Sequence, residues 1–252
     1  MKESIEATRI GRNRTGMQMS PQYASQMLEG AQTDLVDPSE ARAFVPEGQE
    51  FSVVRLDYIA NADPLGSIPP PATIKGAAKS GAKMLMGRRL QAFTDKLAER
   101  LAFERGGTRL YDAVFAKVVA HTHEPNAVSV EEIQEIRNSE ARHALLVKEC
   151  LESLGADPTA QTPSADLVGI QTSGLLQAAS DPRTTLAQTL NTALAAELID
   201  NAGWENLILM ARQMGYDDMA ERFEAALAEE RIHLTKVKGW YNALTVDTGE
   251  LM

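Results

Sequence analysis

The chain has 252 residues, enough for one domain of four long helices with an elaboration or for two small domains. Its formal net charge is −10, from 25 Lys and Arg against 35 Asp and Glu, and no dense basic patch stands out, which argues against nucleic acid and anionic membrane as main partners. The single Cys150 excludes an internal disulfide and fits a reducing, cytoplasmic setting, while the lack of an apolar leader and of any apolar run of ~18 residues argues against secretion and membrane spanning.

Residues 1–82 are expected to form an irregular N-terminal extension. Pro, Gly, Ser and Asn recur there, as in Asp63-Pro64-Leu65-Gly66 and Pro69-Pro70-Pro71, and this punctuation breaks long helices. A short helix after Ser20-Pro21 and a brief extended piece from Phe51 to Leu56 are the local expectations. No acidic residue occurs from Pro64 to Thr94, whereas Lys75, Lys79, Lys83, Arg88 and Arg89 do. That stretch reads as a solvated arm leading into a helix; the sharper reading is an arm that grips the acidic body of a partner subunit in a homodimer or larger homo-oligomer.

Residues 83–248 carry four helical seams. The first helix, from near Lys83 or Leu90 to His121, has the seam Leu97, Leu101, Glu104, Thr108, Tyr111, Phe115 and Val118. The second opens on the capping box Ser129-x-x-Glu132 and stops at Gly155, with the seam Ile133, Ile136, Glu140, His143, Val147, Cys150 and Leu154. Residues 156–181 look too polar for a core helix and read as a long connection. The third helix is expected to open at Asp181-Pro182, with the seam Leu186, Leu190, Ala193, Glu197, Asp200, Trp204, Leu207 and Ala211. The fourth is expected to open at Asp218-x-x-Glu221, with the seam Met219, Phe223, Ala226, Glu230, His233, Val237, Trp240 and Leu244.

Two Glu-x-x-His tetrads lie on these seams, Glu140-Ala-Arg-His143 and Glu230-Arg-Ile-His233, and hold two of the four histidines. Positions i and i+3 share a helix face, so each tetrad offers an oxygen and a nitrogen to one point. A further glutamate, Glu104 or Glu197, precedes each tetrad on the preceding helix. Glu205 competes with Glu197 but falls off the seam. A buried carboxylate or imidazole without a partner costs several kcal/mol. Two divalent cations would balance the four carboxylates, and Glu, Glu-x-x-His, Glu, Glu-x-x-His over four helices is the ligand set of a carboxylate-bridged dimetal site.

On these residues, over roughly 90–245, the chain resembles the ferritin-like superfamily, which includes bacterioferritin, rubrerythrin and manganese catalase. The resemblance implies an all-α, ferritin-like four-helix bundle with one long crossover, its second and third helices parallel. It further implies two iron ions, or manganese, with Glu140 and Glu230 bridging and Glu104 with His143 and Glu197 with His233 as terminal ligands. Tyr111, two turns after Glu104, is either a core tyrosine or a redox participant of the kind similar proteins place near the metals. The implied activity is oxidation of the metals by oxygen or peroxide; dimanganese catalase, oxygenation of an organic substrate and a structural metal site are the alternatives. No rubredoxin-like Cys pairs are present, so reductive turnover would need a separate electron donor. Relatives often place an acid before each Glu-x-x-His to bond the opposite histidine. Glu229 fits that pattern for His143, but the matching position on the second helix is Ser139.

Overall fold

The computed structural model describes residues 88–121 and 128–247, together with the isolated positions 40, 41, 43, 52, 55, 56 and 59. The helix after Ser20, the proline run, the basic stretch before Arg88 and His123 lie outside the described residues. Ser52, Arg55, Leu56 and Ile59 are helical, which corrects the extended reading of that segment. The two valines that prompted it carry a strand preference that depends on context more than on the backbone.

The chain is an all-helical bundle. Its long helices are α1 (Arg88–Ala120), α2 (Val130–Ser153), α3 (Pro163–Ser180), α4 (Leu186–Gln213) and α5 (Asp217–Asn242), and a wider π turn, Ala243–Asp247, follows α5. Apart from Pro163 at the start of α3, they belong to one compact unit; the other unit takes in Gln161–Pro163 and Met1–Pro70, the latter described only at the isolated positions.

The helix ends show which local signals act. Ser129 caps α2 by accepting the Glu132 N–H at 3.1 Å, but the Glu132 carboxylate turns away to Lys236 of α5 at 2.9 Å, so half of the expected capping box forms. α4 begins four residues later than expected. The Asp181 carboxylate accepts from the Arg183 N–H and guanidinium and folds 181–184 into a turn, while Thr185 and Gln188 make a complete capping box. α5 starts at Asp217 with Tyr216 as its N-cap and no side-chain cap, so Asp218-x-x-Glu221 plays no capping part. The chain reaches α5 straight from Gly215, whose φ of 71° lets the Tyr216 N–H return to the Ala211 carbonyl at 2.9 Å. Gly155, at φ 81°, closes α2 in the same way through Ala156 and Leu151.

Contacts along the helices give their directions. Arg137 and His143 of α2 meet Asp112 and Glu104 of α1, and Arg100 of α1 meets Asp200 of α4 while Tyr111 meets Glu197. Both α2 and α4 are therefore antiparallel to α1 and run the same way as each other, as a long crossover requires. α5 is antiparallel to α4 through Glu205–Arg231 and Arg212–Glu224.

That crossover is not an extended strand of chain. Most of it is α3, whose 18 residues rise about 27 Å. Ser164 at its start bonds Asp95, and the turn after its end bonds Lys117 through the Asp181 and Thr184 carbonyls, so α3 runs parallel to α1. It buries only a narrow stripe: Val168 and Ala179, with Leu175, pack on Phe103, Leu110 and Ala196. The reading of this segment as too polar for a helix is corrected: Asp166 is the one charged residue of α3, and Leu167 and Ile170 lie exposed on its outer side.

Two apolar layers fill the bundle. One contains Phe93, Leu97, Val147, Trp204, Leu207 and Phe223; the other contains Val114, Val118, Ile133, Ile136, Leu190, Val237 and Trp240. The sequence positions of the acidic and histidine side chains fall between these two layers.

Candidate metal centre

The seams deliver six side chains to this polar level. Glu104 and Glu230 have no exposed surface, Glu140 has 1%, Glu197 2%, His143 4% and His233 6%. Ligand-type atoms of Glu140, Glu197, Glu230 and His233 lie within 4.8 Å of one another, and so do those of Glu104, His143 and Glu230. A third such group is Glu104, Glu140, Asp200 and Glu230. Each group could hold a metal ion. Glu230 belongs to all three and Glu140 to two, while Glu104 goes with His143 and Glu197 with His233. Glu205, the rival on α4, is exposed and pairs with Arg231 at 3.1 Å.

Both imidazoles turn Nδ1 inward. His143 Nδ1 is 2.5 Å from one Glu230 oxygen, and His233 Nδ1 is 2.9 Å from the other. The ring centroids are 6.3 Å apart, and the Trp204 ring stands edge-on to His143. Asn201 ties α4 to α5 at this level by donating to the backbone carbonyls of Glu197 and Glu230.

Gly107 explains itself here. A Cβ at that position would lie 2.1 Å from Glu140 Oε2, so glycine leaves the carboxylate where it stands and any other residue would displace it. Gly203 does the same for a residue the sequence reading missed. A Cβ there would lie 2.3 Å from the guanidinium of Arg100, which is 4% exposed and reaches into the cluster. Arg100 Nη1 is 2.5 Å from Asp200 Oδ1, Nε is 3.3 Å from Glu104 Oε1, and the guanidinium lies over the Phe103 ring. One turn before Glu104, Arg100 shares its helix face with Phe93 and Leu97, and a cation on an apolar stripe was the legible sign. Asp200 joins the cluster itself.

Donors and acceptors are badly out of balance. Glu104 Oε1 and Oε2, Glu140 Oε1 and Glu197 Oε2 are buried and accept no hydrogen bond. The Tyr111 hydroxyl donates to Glu197 Oε1 and so leaves Oε2 open. Burial and neighbouring carboxylates hold Glu104, Glu197 and Asp200 well above the usual carboxylate range. Burial and Glu230 raise Glu140 as well, with His233 opposing. Burial works against the Glu230 anion too, yet the two imidazoles beside it bring it down to about 2. Burial would lower His233, but Glu140 and Glu230 raise it to about 9. Burial and then Glu197 push the Tyr111 phenol well above its usual value.

On the outer side, Glu229 faces His143 Nε2 at 3.5 Å, as its position implied. Ser139 does not serve His233; it donates instead to Glu229, which also takes Arg142 at 3.0 Å. Beyond them a cleft of about 300 Å³ between α2 and α5 reaches His233, lined by Glu135, Arg142, Glu229 and Lys236 among others.

The family described as Domain of unknown function (DUF892) matches residues 116–248, which are 133 of the 252. The chain belongs to this family. No curated protein and no solved structure matches it. The DUF892 match takes in Glu140, His143, Glu197, Glu230 and His233 and begins beyond Arg100, Glu104 and Tyr111 on α1. No helix among the described residues is long and apolar enough to cross a membrane.

Proposed function

We propose that this chain is a dinuclear iron protein that oxidises its metals with oxygen or peroxide. The observation that carries the reading is the sharing of Glu230 by every metal-capable group, which places one carboxylate between the two histidine sets. Charge supports it. Five buried carboxylates less Arg100 leave −4, which two divalent cations would neutralise. The donor set is rich in hard oxygen, which suits iron and also manganese. The order of the residues and the helix directions support kinship with the ferritin-like superfamily.

Glu140 and Glu230 would span both ions, with Glu104 and His143 on one and Glu197 and His233 on the other. Two adjacent redox ions, when bound, supply the two electrons that reduction of an O–O bond requires. The protein does the rest. Tyr111 fixes Glu197 through one oxygen so that the other points inward, and Gly107 lets Glu140 approach. Burial excludes bulk water, and Glu229 lies 3.5 Å from the outer nitrogen of His143. The cleft that reaches His233 is charged and polar rather than an apolar chamber, which favours a small oxidant over an organic substrate. Turnover that consumes reductant would draw on a separate electron donor, and a homo-oligomer is the expected assembly.

The test is anaerobic loading with ferrous iron followed by oxygen or peroxide. Ferric absorbance should develop faster than with free ferrous ion, and His143→Ala and Glu230→Ala should slow it sharply. If only manganese-loaded protein turns over peroxide, dimanganese catalase replaces this reading. If both metals bind and neither turns over, an organic substrate or a structural role does.

A further inference from the structure

The two halves of the centre differ in one respect. Each terminal glutamate has one oxygen beside a protein group and the other buried without a hydrogen bond. On Glu197 that group is a neutral phenol, Tyr111. On Glu104 it is a permanent cation, Arg100, at 3.3 Å. The cation is built in. Gly203 leaves the space it fills, Phe103 lies against its face, and Asp200 accepts from it through both carboxylate and carbonyl.

Resting on the dimetal reading above, we propose that Arg100 sets the order of metal loading: the Glu197–His233 half takes the first divalent ion, and the Glu104–His143 half takes the second more weakly. The guanidinium repels an ion bound at Glu104 at short range within a buried site, where solvent screens little. No such charge faces Glu197, whose holding group is the neutral Tyr111 hydroxyl.

Calorimetric titration of the full chain with cobalt(II), followed also by the ligand-field absorbance of cobalt, tests this. The expected result is two steps separated by roughly tenfold or more in affinity. His233→Ala should abolish the tight step, and His143→Ala the weak one. Arg100→Gln should bring the two affinities together by strengthening the second, while Arg100→Lys, which keeps the charge, should preserve two steps. Two ions bound with equal affinity, loss of the tight step in His143→Ala, or unchanged separation in Arg100→Gln would each overturn the proposal and leave the dimetal reading intact. The histidine variants decide the order even if Arg100→Gln does not fold. Failure of the wild-type chain to bind cobalt at all would instead remove the dimetal reading, and this proposal with it.

Discussion

Raising the pH should destabilise the metal-stripped protein and strengthen the metal-loaded one. Glu104, Glu140, Glu197 and Asp200 all have folded-state values above those of free carboxylates. A raised folded value means that the folded chain binds more protons than the unfolded one, starting at about pH 4. Stability then falls as pH rises through that window, by ~1.4 kcal/mol per pH unit for each group that stays protonated only in the fold. Acting together, the four set an upper bound of about 5 kcal/mol per unit. His233 acts in the same direction at higher pH. Raised from 6.5 to about 9, it stabilises fully below 6.5 and loses up to ~3 kcal/mol as pH climbs through 9. Glu230 has the opposite sign, but its window lies lower: with its value near 2, its contribution is complete above about 4.5. The melting temperature of chelator-treated protein, followed by circular dichroism, should therefore fall from pH 5.5 to pH 9. Bound metal takes the place of those protons, so affinity should rise with pH and the loaded protein should lose this decline. Calorimetry in buffers of different ionisation enthalpy should register proton release on binding. A stripped protein whose melting temperature rises over the same range would refute the argument, because it would mean that the cluster is ionised and compensated without metal.

Four substitutions probe the geometry. Glu140→Ala should lose both ions by elemental analysis, whereas Glu104→Ala should weaken mainly one; full loading of the Glu140 variant would rule out its place between the two. Gly107→Ala puts a methyl 2.1 Å from Glu140 Oε2 and should reduce metal stoichiometry while far-ultraviolet dichroism stays helical. Tyr111→Phe should cost roughly 1.5–3 kcal/mol of stability at pH values where Glu197 is ionised, and should weaken metal binding about 10–100-fold. A slower oxidation rate at saturating metal would further give Tyr111 a part in the chemistry, beyond holding Glu197.

The fold and the acidic cluster were legible for one physical reason: a helix face repeats every 3.6 residues, and a carboxylate on that face must be compensated. The seam of α4 shows this, since all eight of its positions from Leu186 to Ala211 are buried. On α1 the spacing was less secure. Thr108 and Phe115 sit at the margin, and Val114 takes the core position. α3 was missed because its stripe of Val168, Thr172, Leu175 and Ala179 is one residue wide and interrupted by Gly169 and Gly174. The capping sites went astray where two acceptors compete for the same backbone. Asp181 precedes Pro182 as an N-cap would, but Arg183 is close enough to recruit it into a turn. Arg100 was overlooked because a basic residue on a helix normally snorkels to water; the space that lets it point inward comes from Gly203, 103 residues away.

A polar core held together only by hydrogen bonds would look different at this level of the bundle. Such a core pairs acceptors with donors, since an unpaired buried acceptor costs roughly 1–3 kcal/mol. Here the fixed donors are Arg100, Tyr111 and Asn201, and Asn201 spends its amide on backbone carbonyls. Against them stand ten oxygens from Glu104, Glu140, Glu197, Asp200 and Glu230. The two imidazoles can donate, yet both turn to Glu230 and leave both Glu104 oxygens and Glu140 Oε1 without a hydrogen bond. Protons can fill that deficit at low pH, and the raised carboxylates are the mark of it. Around neutral pH cations fill it more strongly, because each divalent ion satisfies several oxygens at once and needs no donor geometry. The preserved Gly107 space makes the same point sterically. An alanine would cost nothing in helix propensity and would gain about 1 kcal/mol, so a glycine in mid-helix opposite Glu140 is explained by the carboxylate that has to occupy that space.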